Sequence, residues 1–188
     1  KITKPFVAWI DKISICSGKT LLVNGSYINQ SIKKAYGKKT VICPGGAYLQ
    51  PKKKLSQNVF KGSFKVKANG CSHLINKPYL LISNRHEPQK KFEHVIKALV
   101  LVLEKYPQTS LVIPGSFTLW TPKLIALSKK LGIGSKVIFT GQISEKDLQK
   151  LYKEAVVHCY PSPEEDFGLG PLEAGAWAAP TVGWNRAG

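Results

Sequence analysis

The chain contains no methionine among its 188 residues, so Lys1 reads as an internal or processed start and not a translational one. It is also poor in acid. Eleven Asp and Glu stand against 28 Lys and Arg, which leaves a net charge of +17. A surface of that sign favours anionic partners: nucleotides, phospholipid headgroups or nucleic acid. Charge alone does not choose among them. No apolar run is long enough for a spanning helix, and the first residues lack the pattern of a secretory signal. The four cysteines, Cys16, Cys43, Cys71 and Cys159, form no CxxC pair, and no histidine spacing completes a zinc motif. They read as reduced thiols of a cytosolic protein, and no metal site is expected.

What the chain does have is alternation. Tyr79 to Ser83 is a short apolar run, read as a strand. Phe92 to Tyr106 carries apolar residues at helical spacing. Ser110 to Ile113 is the next strand, closed by Pro114-Gly115. Thr121 and Pro122 open a helix that Gly132 ends. Lys136 to Phe139 is a strand stopped by Thr140-Gly141. Ser144 and Asp147 frame a helix start whose apolar face holds Leu148, Leu151, Tyr152 and Ala155. Val156 to Tyr160, a helix from Leu172 to Trp177 and a strand at Thr181-Val182 follow. Continuously apolar strands separated by helices predict an α/β fold, a Rossmann-like parallel sheet with helices on both faces. Ligands of such sheets sit at the carboxyl ends of the strands.

The first 50 residues read helix, strand, helix, strand, with strands near Thr20 to Val23 and Thr40 to Cys43. Residues 50 to 77, which include Lys52-Lys53-Lys54, read as an irregular connection with one short strand within Asn58 to Lys67. The expected division is therefore residues 1–50 as the end of one lobe, 51–77 as connection, and 78–188 as a ligand-binding domain that stops before its sheet is complete.

Three short matches fail on their own requirements. Gly18-Lys19-Thr20 resembles the end of a phosphate-binding loop, but Ile13 stands where its first glycine is needed. Gly168-Leu169-Gly170 begins a dinucleotide fingerprint that Glu173 interrupts. Asp166-Phe167-Gly168 lacks every other kinase element.

The informative stretch begins after the strand ending at Tyr160. An acidic loop leads through Gly168-Leu169-Gly170 into a helix, with Pro171 suited to its first turn. Backbone amides at that helix N-terminus, together with its dipole, favour a diphosphate, and the small residues allow its close approach. Glu173, expected in the first turn, can accept hydrogen bonds from two adjacent hydroxyls, as a ribose offers. His86, His94 and His158 read as structural or exposed.

Glu165 to Glu173, with Phe167 and Gly168 between them, resembles the signature of family 4 retaining glycosyltransferases of the GT-B type. Ala174 to Pro180 is similar to the small-residue segment that follows it in that family, apart from an alanine near the usual glycine. Upstream, Arg85 and Lys90 resemble the family's donor-phosphate motif, with Asn84 and Lys91 in place of its glycines. The resemblance implies that the chain is the nucleotide-sugar-binding lobe with the tail of the N-terminal lobe. It implies transfer of a hexose, in one reading mannose for surface polysaccharide, from a UDP- or GDP-sugar to a glycan or lipid-linked acceptor. The catalytic residues would be Arg85 and Lys90, neutralising the departing diphosphate, and Glu165, holding sugar hydroxyls; Glu164 is its adjacent alternative. Amides of Phe167, Gly168 and Leu169 would bind the diphosphate, and Glu173 the ribose. Gly115, Thr140 and Gly141 would lie near the donor and its base. The resemblance implies no cofactor and no obligatory metal. The 188 residues alone are expected to bind nucleotide weakly without turnover. The basic surface suits the cytoplasmic face of an anionic membrane. A non-catalytic nucleotide-sugar-binding module is the alternative. A nucleic-acid-binding domain, motivated by charge alone, lacks an RNA-binding signature or an aromatic stripe.

Overall fold

A computed structural model describes residues 3–46, 58–163, 165 and 167–185, with side chains from residue 8 onward. Lys52-Lys53-Lys54, Glu164 and Asp166 lie outside the described residues. The chain divides into two compact units. The first comprises residues 1–46 with 164–168 and 187–188, and the second comprises 47–163 with 169–186.

The first unit follows the expected order: α1 (Thr3–Ser17), β1 (Leu22–Val23), α2 (Ser26–Tyr36) and β2 (Val41–Ile42). β1 and β2 pair in parallel, as a strand–helix–strand crossover requires. Gly37 ends α2 in the left-handed conformation at φ 67°, and its N–H donates to the Lys33 carbonyl at 3.0 Å.

The second unit opens with a correction. Residues 58–77 hold two strands and not one. β3 (Ser63–Ala68) and β4 (Cys71–Asn76) form an antiparallel hairpin with Ala68 opposite Cys71. The turn between them is Asn69-Gly70, with both residues at positive φ, 48° and 78°. Two-residue hairpin turns of that hand match the twist of the flanking strands, and Asn-Gly is their preferred sequence.

A five-stranded parallel sheet follows, with spatial order β7-β6-β5-β8-β9. Its strands are β5 (Tyr79–Leu81), β6 (Ser110–Pro114), β7 (Val137–Gly141), β8 (Val157–Tyr160) and β9 (Thr181–Gly183). The helices α3 (Phe92–Lys105), α4 (Thr121–Lys130), α5 (Glu145–Glu154) and α6 (Leu169–Ala176) connect them. Successive strand residues face opposite sides. Leu111 and Ile113 therefore pack with Ile96 and Leu99 of α3 and Leu124 of α4. Val112 packs on the other side with Leu151 of α5, Ala174 of α6 and the hairpin residues Val66 and Ile75. All five residues of β6 are buried, which is why it reads as a continuous apolar run from Leu111 to Pro114 instead of an alternating one. Full burial of an aliphatic side chain of this size contributes about 1.5–3 kcal/mol. The chain runs outward through β5, β6 and β7 and then returns to β8 and β9. The direction of winding thus reverses between β5 and β8, where ligand crevices of open α/β sheets form.

Helix ends follow local chemistry. The Ser144 hydroxyl accepts the Asp147 N–H at 3.1 Å, as the capping pattern predicts. At the end of α6, Ala179 N–H reaches the Ala174 carbonyl and Ala178 N–H reaches the Gly175 carbonyl, both at 2.9 Å. That pair of bonds is a Schellman ending, which places its central residue in the left-handed region. Here that residue is alanine, Ala178, at φ 56°. Ala178→Gly is expected to raise stability by about 0.5–1 kcal/mol by relieving the Cβ clash. Thermal denaturation checks this; a lower melting temperature would mean that the site carries no strain.

Candidate functional site

A cavity of about 310 Å³ opens at the carboxyl ends of the sheet. Its walls come from the segment after β5 (Ser83, Asn84, Arg85), the end of β6 with the turn after it (Pro114, Gly115, Ser116) and the turn after β7 (Gln142, Ile143). Leu148 and Tyr152 of α5 and Glu173 of α6 complete it.

Arg85 brings the cation. Its guanidinium is largely exposed, with Nη1 3.6 Å from Glu87 Oε1. The Asn84 side chain fixes the bend before it by accepting the Arg85 N–H at 2.8 Å. Lys90 lies in the 3-10 turn Pro88–Lys90 and is half-buried, outside the cavity wall. The turn ends at Lys91, whose φ of 53° and ψ of 35° are those of a left-handed residue. Both Ala178 and Lys91 thus keep a backbone shape that glycine adopts most readily.

Beneath the loop His86 is fully buried, with Nδ1 3.0 Å from the Thr121 hydroxyl and its ring packed against Phe92, Phe117 and Phe139. Burial holds its pKa below the ordinary histidine value. Directly above is Gly115, at φ 134°. A Cβ there would stand 2.4 Å from the Asn84 carbonyl oxygen and 3.3 Å from His86 Nε2. Gly115 is therefore a close-approach glycine that lets the β5 and β6 loops touch. Its N–H donates to the Gly141 carbonyl at 3.0 Å, tying both loops to the end of β7.

The opposite wall is polar. Tyr152 donates its hydroxyl hydrogen to Glu173 Oε2 at 3.0 Å. The same Tyr152 oxygen lies 2.6 Å from the Ser83 hydroxyl, which is 3.1 Å from His158 Nε2. His158 Nδ1 is 3.3 Å from the Thr181 hydroxyl. Burial lowers the His158 pKa to about 4 and raises that of Tyr152, so both are neutral across the physiological range.

Three of the expected residues, Arg85, Gly115 and Glu173, meet at one cavity. Thr140 and Gly141 are buried at the end of β7, and their neighbours Gln142 and Ile143 form the wall instead. α6 starts at Leu169, so Pro171 is its third residue and Glu173 projects from its second turn, one turn later than expected. The two glycines Gly168 and Gly170 admit helical entry earlier than Pro171 alone suggests; Gly168 turns at φ 80°. Leu169 is exposed at the first position of α6. Glu165 and Phe167 are half-buried and, with Gly168, belong to the first unit.

Ser83, Tyr152 and His158 were not legible as site residues. Tyr152 reads as one more apolar-face position of α5, and no local pattern links positions 83 and 158, which meet only because β5 and β8 are neighbours. Among the described residues, no group of three His, Cys, Asp or Glu could hold a metal ion, and no helix is long and apolar enough to cross a membrane.

A parallel sheet covered on both faces, with its crevice at the carboxyl ends of the strands, is the α/β architecture of GT-B glycosyltransferases. The family model for glycosyl transferases group 1 matches residues 72–188, and the chain belongs to that family. The chain is 39% identical over 103 residues to an uncharacterised glycosyltransferase of Methanocaldococcus jannaschii, a match covering 55% of this chain and 26% of that one. It is 34% identical over 106 residues to the serotype-specific mannosyltransferase WbdA of Escherichia coli, covering 53% and 12%. In structure it is similar to a sucrose-phosphate synthase from Thermosynechococcus elongatus, with a TM-score of 0.75 at 20% identity, over 96% of this chain and 44% of that one. The chain thus spans less than half the length of each of these relatives.

Proposed function

We propose that this chain is the donor-binding part of a family 4 retaining glycosyltransferase that moves a sugar from a nucleoside diphosphate to a glycan or lipid-linked acceptor. The observation that carries the reading is the meeting of Arg85, Gly115 and Glu173 at one cavity, at the reversal point of the sheet. In this reading residues 78–188 hold the donor.

The chemistry explains the residue types. When the anomeric bond breaks, the leaving diphosphate gains negative charge. A cation fixed in advance stabilises that charge without reorganising at the moment of reaction. Arg85 lines the cavity, and the resemblance assigns this task to it and to Lys90. The amides of Phe167, Gly168 and Leu169 are assigned to the diphosphate, and Glu165 to the hydroxyls of the transferred sugar. Glu173 accepts from both hydroxyls of the ribose diol through two acceptor oxygens, a contact that a lysine, which only donates, could not make. Gly115 keeps the floor low enough for the donor, and the end of β7 at Thr140 and Gly141 stands toward the base. Similarity to WbdA favours mannose as the transferred sugar. The charge of +17 suits a protein that works beside anionic lipid, at the cytoplasmic membrane face where lipid-linked acceptors are found.

The test is Glu173→Ala in the intact protein. Sugar transfer to a lipid-linked acceptor is expected to fall about 100-fold in kcat/KM, the effect of losing a charged partner for two hydroxyls. Undiminished transfer would remove Glu173 from the donor site. Nucleotide-sugar binding with no transfer in the unaltered protein would support the non-catalytic module instead.

A further inference from the structure

We propose that Thr181, His158, Ser83 and Tyr152 form a one-way hydrogen-bond chain that locks the Glu173 carboxylate in place for a ribose diol. The inference rests on the donor-site reading of Glu173 and adds positioning residues to it.

The direction of the chain follows from counting protons. An ionised carboxylate only accepts, so at 3.0 Å the Tyr152 hydroxyl must donate to Glu173 Oε2. A tyrosine hydroxyl has one proton. Having spent it on Glu173, Tyr152 can only accept from the Ser83 hydroxyl, 2.6 Å away. Ser83 has then used its own proton, so at 3.1 Å it must accept from His158 Nε2–H. A neutral imidazole protonated at Nε2 leaves Nδ1 as an acceptor, which faces the Thr181 hydroxyl at 3.3 Å. No member is left facing a like group, and reversing any one bond would set two donors or two acceptors against each other. The burial of His158, which disfavours its charged form, is consistent with the neutral ring the chain needs.

The chain joins residues far apart in sequence. Thr181 is on β9 and His158 on β8, Ser83 follows β5, and Tyr152 is on α5. Its inner members are rigidly placed: His158 is wholly buried and Tyr152 nearly so. Ser83, Tyr152 and Glu173 line the cavity, and of these three Glu173 is the one whose side chain is exposed. One carboxylate oxygen is thereby held from behind, and the remaining acceptor positions are free to face the cavity. A glutamate on an exposed helix face otherwise samples many rotamers, and ordering it on binding would cost affinity. Tyr152 and the groups behind it are positioning residues, and the feature they serve is recognition of a ribose that carries both hydroxyls.

The experiment is calorimetric titration of the intact protein and its Tyr152→Phe variant with UDP and GDP, their 2′,3′-dideoxy analogues, and inorganic pyrophosphate. The unaltered protein is expected to prefer the ribonucleotide. Tyr152→Phe is expected to weaken ribonucleotide binding about tenfold, the effect of one hydrogen bond to a charged group, with dideoxy and pyrophosphate binding unchanged. In a Glu173→Ala background the same substitution is expected to add nothing. Nitrogen NMR of His158 is expected to show the Nε2–H tautomer. Retained ribose preference in Tyr152→Phe, an equal loss for all the ligands, or an Nδ1–H tautomer would each overturn the chain while leaving the donor site standing. Absence of any ribose preference in the unaltered protein would instead overturn the Glu173 reading, and the chain with it.

Discussion

Gly115→Ala is expected to destabilise the protein by about 3 kcal/mol and to abolish nucleoside diphosphate binding at the cavity. Two costs act together. The added Cβ forces a residue into a positive-φ conformation that L side chains avoid, and it meets a backbone oxygen at 2.4 Å. The oxygen belongs to Asn84, whose own side chain sets the Arg85 backbone, so yielding at Asn84 would displace the cation as well. Gly37 separates the two effects. It also has positive φ, 67°, but nothing stands within 4 Å of its Cβ position. Gly37→Ala is therefore expected to cost only about 1 kcal/mol. Urea denaturation of the two variants reads the difference, and equal losses would show that the loops do not touch as described.

Acidification gives the second large effect. The His158 pKa is about 4 in the folded protein against an ordinary value of 6.5. Below pH 6.5 the unfolded chain takes up a proton that the folded chain refuses, so stability falls as the pH drops from 6.5 toward 4 and levels off below that. The stability present above pH 6.5 and lost across this window is about 3 kcal/mol for His158 alone. His86, whose pKa is also lowered by burial, adds a loss of the same sign. In His158→Gln the slope of stability against pH between 6.5 and 4 is expected to flatten by the His158 share, leaving the rest. Because the slope is compared and not the absolute stability, any packing cost of the substitution cancels. An unchanged slope would mean that His158 titrates normally in the folded protein.

Most of the second unit was legible because both faces of its sheet are buried. β5, β6, β7 and β8 announce themselves as short apolar runs, and Gly132 and Ser144 punctuate the helices between them. Of the hairpin at 63–76 only one strand is legible, although Asn69-Gly70 is the sequence of its turn. Its exposed face, with lysines at 65 and 67, dilutes the apolar pattern, and only Val66, Ala68 and Ile75 are buried. The start of α6 is not legible from Pro171, because the helix begins two residues before the proline, directly after the turn at Gly168.

The site divides in the same way. Arg85 and Glu173 stand in motifs whose spacing is local, and the fold brings them to one cavity. The chain behind Glu173 is not local at all: its members are separated by as many as 98 positions from Ser83 to Thr181 and are joined by strand order. Periodicity cannot show that a tyrosine on an apolar helix face will turn its hydroxyl toward a glutamate of the next helix. Nor can it show that His86 and His158 are buried for different ends, one beneath the basic loop and one behind the acidic wall.

The central claim is that this cavity holds a nucleoside diphosphate against Arg85. Calorimetric titration of the intact protein with UDP, GDP and ADP, with no added metal, tests it most directly when repeated on Arg85→Ala. The account predicts binding with preference for one of the three and a loss of about 10–100-fold in the variant, the effect of removing a charged hydrogen-bond donor from a diphosphate. Binding that is indifferent to Arg85→Ala, or no binding of any of the three, would contradict it.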